Sequence, residues 1–191
     1  MELTIDIYWE GAFSSFEEVS KHIEEDEIGK NTDYFFYQIY GDHVTYGKDV
    51  LLYIGISGNY KSNGIVSRLK SHHNNWTNGL CSEIKIYIGS YGLFNGWNNW
   101  YDKDNKYYKF NPELKLPTIN MMESLLIYAH KPIMNRASIS GLFKVNMDEQ
   151  CDLHKLDKIP TFRIFNTGKR KSLLPELSTT YYSDDPKKRK I

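Results

Sequence analysis

Residues 33–75 read DYFFYQIYGDHVTYGKDVLLYIGISGNYKSNGIVSRLKSHHNN, and three elements of secondary structure can be predicted within them. Asp33 to Tyr40 is rich in aromatic residues and predicts a strand that a Gly-Asp turn closes. Asp49 to Ile56 predicts a second strand, which pairs with the first as an antiparallel hairpin. After a loop of Gly, Asn and Ser, apolar residues at helical spacing predict a helix from Gly64 to Asn75.

The segments on either side continue this pattern. A capping serine, acidic residues in the early turns and an apolar stripe predict a helix within Phe13 to Ile28. Glu83 to Ser90 predicts a third strand, and Pro117 opens a helix that runs to about His130. The order β-β-α-β-α predicts an α+β fold, with a small antiparallel β-sheet of about three strands flanked by helices.

The chain has 191 residues, which is enough for one elaborated domain. Beyond the core, short strands or loops are predicted near Leu142 to Val145 and near Phe162 to Phe165. The predicted division is an N-terminal helical extension (1–32), a core (33–136) with an insertion near 91–116, a C-terminal extension packed on the core (137–183) and a disordered basic tail (184–191).

Charge and cysteine content narrow the choice of function only modestly. Lys and Arg number 24, as do Asp and Glu, so the formal net charge is zero. Acidic residues gather near the start and basic ones near the end, which is compatible with one face that meets phosphates. The two cysteines, Cys81 and Cys151, match neither a disulfide framework nor a zinc spacing. With no secretory leader and no membrane-length apolar run in view, we expect a soluble, cytoplasmic protein without a membrane partner.

Five short motifs follow one another between Asp33 and Asn135. They are Phe35-Phe36-Tyr37-Gln38-Ile39-Tyr40 on the first strand, Tyr53-Ile54-Gly55 on the second, Arg68 and His72 one turn apart on the next helix, Glu123 on a later helix, and Pro132 with Asn135 after it. In their order and in the elements that carry them, these motifs resemble the GIY-YIG nucleases. The resemblance covers a little over half of the chain and implies a GIY-YIG nuclease-like core.

Two features of the motifs need interpretation. Phe35 stands where the family's first motif has its glycine, so two tyrosines are candidates for the first active tyrosine. We prefer Tyr37, because the family's excision-repair branch has a similar string led by its active tyrosine, and Tyr40 is the alternative. A second Tyr-Ile-Gly, at Tyr87 to Gly89, is interpreted as part of the third strand, because no Arg-His helix follows it.

The resemblance implies a catalytic site for phosphodiester hydrolysis, formed by Tyr37, Tyr53, Arg68, His72, Glu123 and Asn135. Glu123 is a hard oxygen ligand that suits Mg²⁺ or Mn²⁺, and Arg68 offers a planar fork for a phosphate. Tyr37 would orient or activate the attacking water, but a phenol with a pKa near 10 is a poor base at neutral pH. It needs help from His72, Lys61 or metal-bound water, and the sequence leaves this choice open. Tyr53 is expected to hydrogen-bond the phosphate or water, and Asn135 to brace the site.

Other residues are candidates for contact with DNA, since basic, amide and aromatic side chains suit phosphates and bases. They are Lys70, Trp97, Asn98, Asn99, Lys169 and Arg170. Each site residue also has an ordinary structural interpretation. Tyrosines fill sheets, an Arg-His pair on a helix is commonly on the surface, and a glutamate early in a helix stabilises its start.

We therefore expect a metal-dependent endonuclease that hydrolyses double-stranded DNA as a homodimer, most similar to the free-standing type II restriction enzymes of the family. Three alternatives are a catalytically inactive nucleic-acid-binding module of the same fold, a repair or mobile-element nuclease, and a protein-interaction domain in which the Tyr-Ile-Gly string is coincidental.

Overall fold

The computed structural model describes residues 2–25, 34–57, 63–80, 83–93, 116–136 and 161–178. The strands are β1 (Glu2–Phe13), β2 (Phe36–His43), β3 (Gly47–Ile56), β4 (Lys85–Leu93), β5 (Thr161–Gly168) and β6 (Glu176–Ser178). The helices are α1 (Phe16–Glu25), α2 (Asn63–Asn75) and α3 (Leu116–His130), with a short 3₁₀ turn at Thr77–Gly79. These elements confirm the α+β class.

The described strands form a single sheet in the order β3-β2-β4-β1-β5-β6. Strands β2, β3 and β4 are the three predicted from the sequence, and they pair antiparallel, with Tyr37 of β2 opposite Gly55 of β3. Helices α1, α2 and α3 begin and end within three residues of their predicted bounds. Local patterns were therefore sufficient for the middle of the chain.

The expectation of about three antiparallel strands is wrong, because the sheet has six strands and is mixed. The N-terminal extension is not only helical, since β1 pairs antiparallel with β4 on one side and parallel with β5 on the other. Ile5, Ile7 and Trp9 alternate with Thr4, Asp6 and Tyr8 in β1, which is the period of a strand, and all three apolar residues are fully buried. Residues 2–13 therefore lie in the interior of the sheet, between β4 and β5.

The C-terminal extension also contributes to the sheet rather than only packing on it. The segment near Phe162 to Phe165, for which a short strand or a loop was predicted, is the strand β5, and β6 pairs antiparallel with it. The parallel pairing of β5 with β1 joins residues about 160 positions apart, such as Ile5 with Ile164. A pairing this distant in sequence leaves no local pattern from which it can be predicted.

Helices cover both faces of the sheet, and the alternation of residues along β2 separates the two cores. Phe36 and Tyr40 lie in the core on the α3 side, together with Trp9, Ile54, Ile119, Met122 and Leu126. Tyr37 and Ile39 lie in the core on the other side, together with Val19 and Ile23 of α1 and Ile65 and Leu69 of α2. Tyr37 and Tyr40, the two candidates for the first active tyrosine, therefore point to opposite faces.

Several predicted features lie outside the described residues. They are most of the insertion near 91–116, whose first three residues belong to β4, the segment Leu142 to Val145 and the tail 184–191. Among the described helices, none combines the length and the apolar character needed to cross a bilayer.

The central position of β1 predicts that residues 1–13 are indispensable for folding. Deleting them removes the pairing partners of both β4 and β5, and we expect the shortened chain to lose its cooperative unfolding transition in urea. Deletion of residues 184–191, which the sequence predicts to be a disordered tail, serves as the control and should leave the transition intact. A cooperative transition of unchanged slope in the chain without residues 1–13 would show that β1 is dispensable.

Candidate active site

The Tyr37 ring lies directly across Gly55, its partner on the neighbouring strand. A Cβ atom placed on Gly55 would lie 2.5 Å from the Tyr37 hydroxyl oxygen and 2.7 Å from the Cε1 atom of Tyr53. The two tyrosine rings are nearly parallel, with centroids 5.9 Å apart and planes at 16°. The glycine of the Tyr-Ile-Gly motif is therefore required by packing, because any side chain there would displace both rings.

Helix α2 brings His72 onto the two tyrosines. The Nε2 atom of His72 lies 2.8 Å from the Tyr37 hydroxyl, and its ring centroid is 4.5 Å from that of Tyr53. On the other side of the imidazole, the indole N–H of Trp76 donates to Nδ1 at 2.9 Å. Ile65 and Leu69 anchor the inner face of the helix in the core, so the histidine is held from three directions.

Arg68 precedes His72 by one helical turn, so the two side chains share a face of α2. The Arg68 side chain is exposed, yet its positive charge acts on Tyr37, Tyr53 and Glu123, where it opposes the rise in pKa that burial causes. Its guanidinium therefore lies near all three groups while remaining accessible to a ligand from solvent.

Glu123 reaches the site around the open edge of β3. The outward-facing peptide groups of this edge strand need hydrogen-bond partners, and α3 with the turn after it supplies them. Asn135 accepts from the Ile54 N–H at 2.9 Å and donates to the Ile54 carbonyl at 2.8 Å. The Ile56 N–H donates to the Glu123 carboxylate. Satisfying the strand edge thus places the carboxylate beside the tyrosines.

The electrostatics of the site differ from those of free side chains. Burial raises the pKa of Tyr37 far above its ordinary value and raises that of Tyr53 as well. Burial, together with the charge of Arg68, lowers the pKa of His72. Burial raises the pKa of Glu123 to about 7, against the opposing effects of Arg68 and the Ile56 amide. Tyr37 is 1% exposed, so it lies behind the other groups and is less suited than a free phenol to take a proton from water.

The structure brings six of the predicted residues together: Tyr37, Tyr53, Arg68, His72, Glu123 and Asn135. Tyr40, the alternative first tyrosine, donates instead to Gln38 at 2.8 Å and meets Ser172 on the opposite face. Tyr87 of the second Tyr-Ile-Gly also packs on that face, with its ring 5.6 Å from that of Tyr40. The motif register that begins at Tyr37 is thus the one whose residues converge.

The predicted DNA contacts are less well placed. Lys70 is exposed, but it is two residues from both Arg68 and His72 and so does not share their face of α2. The backbone N–H of Lys169 donates to the Trp9 carbonyl while its side chain is exposed, and the Arg170 side chain donates to the Leu173 carbonyl of its own loop. The remaining candidates, Lys61, Trp97, Asn98 and Asn99, lie outside the described residues.

Sequence reasoning missed Trp76, which contacts both His72 and Tyr53. A signal was present, because Trp76 follows His72 by four residues, the spacing at which side chains on a helix meet. It was overlooked because α2 ends at Asn75, one residue earlier.

A divalent cation is compatible with the groups present, but only one that needs few protein ligands. Among the residues that the structure describes, no three His, Cys, Asp or Glu side chains cluster as metal ligands, so a zinc-type site is not seen in that part of the chain. A half-buried single carboxylate fits Mg²⁺ or Mn²⁺, which retain several waters and add phosphate oxygens.

Comparison with known proteins finds no matching family model, no matching curated protein and no matching solved structure. The likeness to the GIY-YIG nucleases therefore depends on the motif residues and on their convergence in space.

The close contact at Gly55 predicts a large effect from a single methyl group. Gly55→Ala should lower the free energy of unfolding by about 2 kcal/mol through overpacking against Tyr37 and Tyr53. Gly79→Ala is the matched control, because a Cβ there meets nothing within 4 Å, and it should change stability by less than about 0.5 kcal/mol. Equal stability of the two variants in urea unfolding would contradict the described packing.

The raised pKa of Glu123 predicts a pH-dependent cost to folding in the absence of divalent ions. The folded protein binds this proton more tightly than the unfolded chain, so the associated stability is present below pH 4.5 and is lost as the pH rises through about 7. Glu123→Gln should therefore be more stable than the wild type above pH 7 in EDTA, by about 3 kcal/mol, and similar to it below pH 4.5.

Urea unfolding across this pH range measures the difference. Glu176→Gln, at an exposed carboxylate of β6, is the control and should follow the wild type at every pH. A Glu123→Gln variant that also follows the wild type would show that Glu123 is not the buried carboxylate described above.

Proposed function

We propose that the protein is a metal-dependent endonuclease that hydrolyses phosphodiester bonds of double-stranded DNA. The observation that carries this proposal is the convergence of a Tyr37–His72 hydrogen bond, the Tyr53 ring, the Arg68 guanidinium and the Glu123 carboxylate at one edge of the sheet. Phosphoryl chemistry requires a cationic side chain that binds phosphate oxygens, a hydroxyl donor, and a hard oxygen ligand for a metal ion, placed side by side.

Each group has a distinct task in this proposal. Arg68, exposed at the mouth of the site, binds a non-bridging oxygen of the scissile phosphate and offsets the charge that develops in the transition state. Tyr53 is half-buried and directs its hydroxyl toward the same phosphate. Glu123 would hold Mg²⁺ or Mn²⁺, and the ion would supply Lewis-acid activation of the phosphate and would lower the pKa of a bound water.

The proposed reaction is the hydrolysis of a phosphodiester bond. The oxygen of a water molecule forms a bond to phosphorus, the bond from phosphorus to the leaving sugar oxygen breaks, and one proton passes from the water to the leaving oxygen. The buried Tyr37, whose pKa is raised, holds Tyr53 and His72 in place rather than removing the proton from water.

The wider features of the proposal follow from the resemblance rather than from the geometry. A restriction-type enzyme that cuts both strands would act as a homodimer on DNA. Its sequence recognition would come from insertions, including the residues around Trp97 to Asn99.

Cleavage of supercoiled plasmid in Mg²⁺ or Mn²⁺ tests the proposal. Arg68→Ala should reduce the cleavage rate by about 10²- to 10³-fold, as the loss of one transition-state donor does, and Glu123→Ala should abolish cleavage at any metal concentration tested. Both variants should still shift a DNA fragment in a gel.

Two matched controls come from the opposite edge of the sheet, where Arg163 and Glu176 form an exposed ion pair at 3.2 Å. Arg163→Ala and Glu176→Ala change the same charges far from the site and should cut at the wild-type rate. Normal cutting by Arg68→Ala or Glu123→Ala would refute the assigned site. DNA binding without cutting by the wild type would favour the inactive binding module.

A further inference from the structure

The hydrogen bond between Trp76 and His72 fixes which nitrogen of the imidazole carries the proton. An indole N–H can only donate, and it lies 2.9 Å from Nδ1 of His72. Nδ1 must therefore be the unprotonated acceptor. Burial and the charge of Arg68 lower the pKa of His72, which keeps the ring neutral, so its single proton is on Nε2.

This assignment sets the direction of the next hydrogen bond. Nε2 lies 2.8 Å from the Tyr37 hydroxyl oxygen, so the imidazole donates and the phenol oxygen accepts. The Tyr37 proton then remains for the other hydroxyl within reach, that of Tyr53, with which Tyr37 shares a hydrogen bond.

Trp76 donates to His72, His72 donates to Tyr37, and Tyr37 donates to Tyr53. The four side chains therefore form a series of hydrogen bonds that all run in the same direction. Tyr53 is the last member of this series, so its own hydroxyl proton is available for donation to a substrate. Since Tyr53 is less buried than Tyr37, this proton is at the open side of the site, where a phosphate oxygen would bind.

We propose that Trp76 is a positioning residue that locks His72 in the Nε2–H tautomer and thereby makes Tyr53 the hydroxyl donor to the substrate. In this arrangement His72 orients the tyrosine pair and does not accept the proton of Tyr37. The kinetic part of the inference rests on the proposed nuclease function, whereas the tautomer itself does not.

The tautomer is directly measurable by ¹⁵N NMR of the histidine ring in the metal-free protein. In the wild type, His72 should show a protonated Nε2 and an unprotonated Nδ1. Trp76→Phe retains the aromatic contacts with Tyr53 and His72 but removes the N–H, so the ring should show a mixture of tautomers.

Trp9→Phe is the matched control, because it also removes an indole donor, the one bonded to Asn166 at 3.0 Å, but in the opposite core. It should reduce stability without altering the His72 signals. A proton on Nδ1 in the wild type, or an unchanged His72 spectrum in Trp76→Phe, would overturn the inference.

Kinetics supply an independent test. Trp76→Phe should lower kcat by about 10- to 100-fold, the effect typical of losing a partner that orients a site histidine, with KM for DNA changed less than about twofold. A role in packing alone would appear as lost stability without this separation of kcat from KM.

The position of His72 offers a sharper comparison. Glutamine can accept from Trp76 and donate to Tyr37 without carrying a titratable proton, so His72→Gln should retain at least about a tenth of the activity, whereas His72→Leu should lose more than about 100-fold. If His72→Gln is as inactive as His72→Leu, the imidazole transfers a proton and the inference is wrong. If the wild type shows the locked tautomer but does not cut DNA, the proposed function fails while the assignment of Trp76 as the residue that locks the tautomer remains.

Discussion

The open edge of β3 is the constraint on which the site depends. Peptide groups at a strand edge need partners, and here α3 and its following turn supply them through the Asn135 amide on Ile54 and the Glu123 carboxylate on the Ile56 N–H. The same strand presents Tyr53 and Gly55 to the opposite face, where Tyr37 and α2 are packed. The carboxylate of Glu123, which comes from the α3 layer, and the tyrosines, which pack in the α2 layer, therefore meet at β3.

In this arrangement the polar groups of the site differ in burial. Tyr37 is almost fully buried, and Glu123 has a pKa raised to about 7 by desolvation. A buried carboxylate costs stability unless a cation is nearby, and the exposed Arg68 offsets only part of that cost. A bound divalent ion and a phosphate would restore the missing interactions, so the folding cost and the proposed function have the same physical origin.

Much of the fold near the site could be predicted because its signals are local. A run of aromatic residues predicted β2, a run of mainly aliphatic residues predicted β3, helical spacing predicted α2, and Pro117 marked the start of α3. The six-stranded sheet could not be predicted in the same way, since the β1–β5 pairing joins segments about 160 residues apart. Within the site, the motif letters identified Tyr37, Arg68 and Glu123. They could not show that Tyr37 is buried, that Glu123 binds the Ile56 N–H at the edge of β3, or that Trp76 hydrogen-bonds His72. These contacts depend on how the layers of the protein pack.

In the proposed enzyme, the tyrosine pair, the guanidinium and the carboxylate would surround one divalent ion and one phosphate. A crystal structure of the Tyr53→Phe protein with Mn²⁺ and a short DNA duplex tests it most directly, through the anomalous signal of the metal. We expect a peak about 2.1 Å from a Glu123 oxygen, with a DNA phosphate between it and Arg68. Duplex bound on another face, with the manganese signal absent from Glu123, would contradict this arrangement.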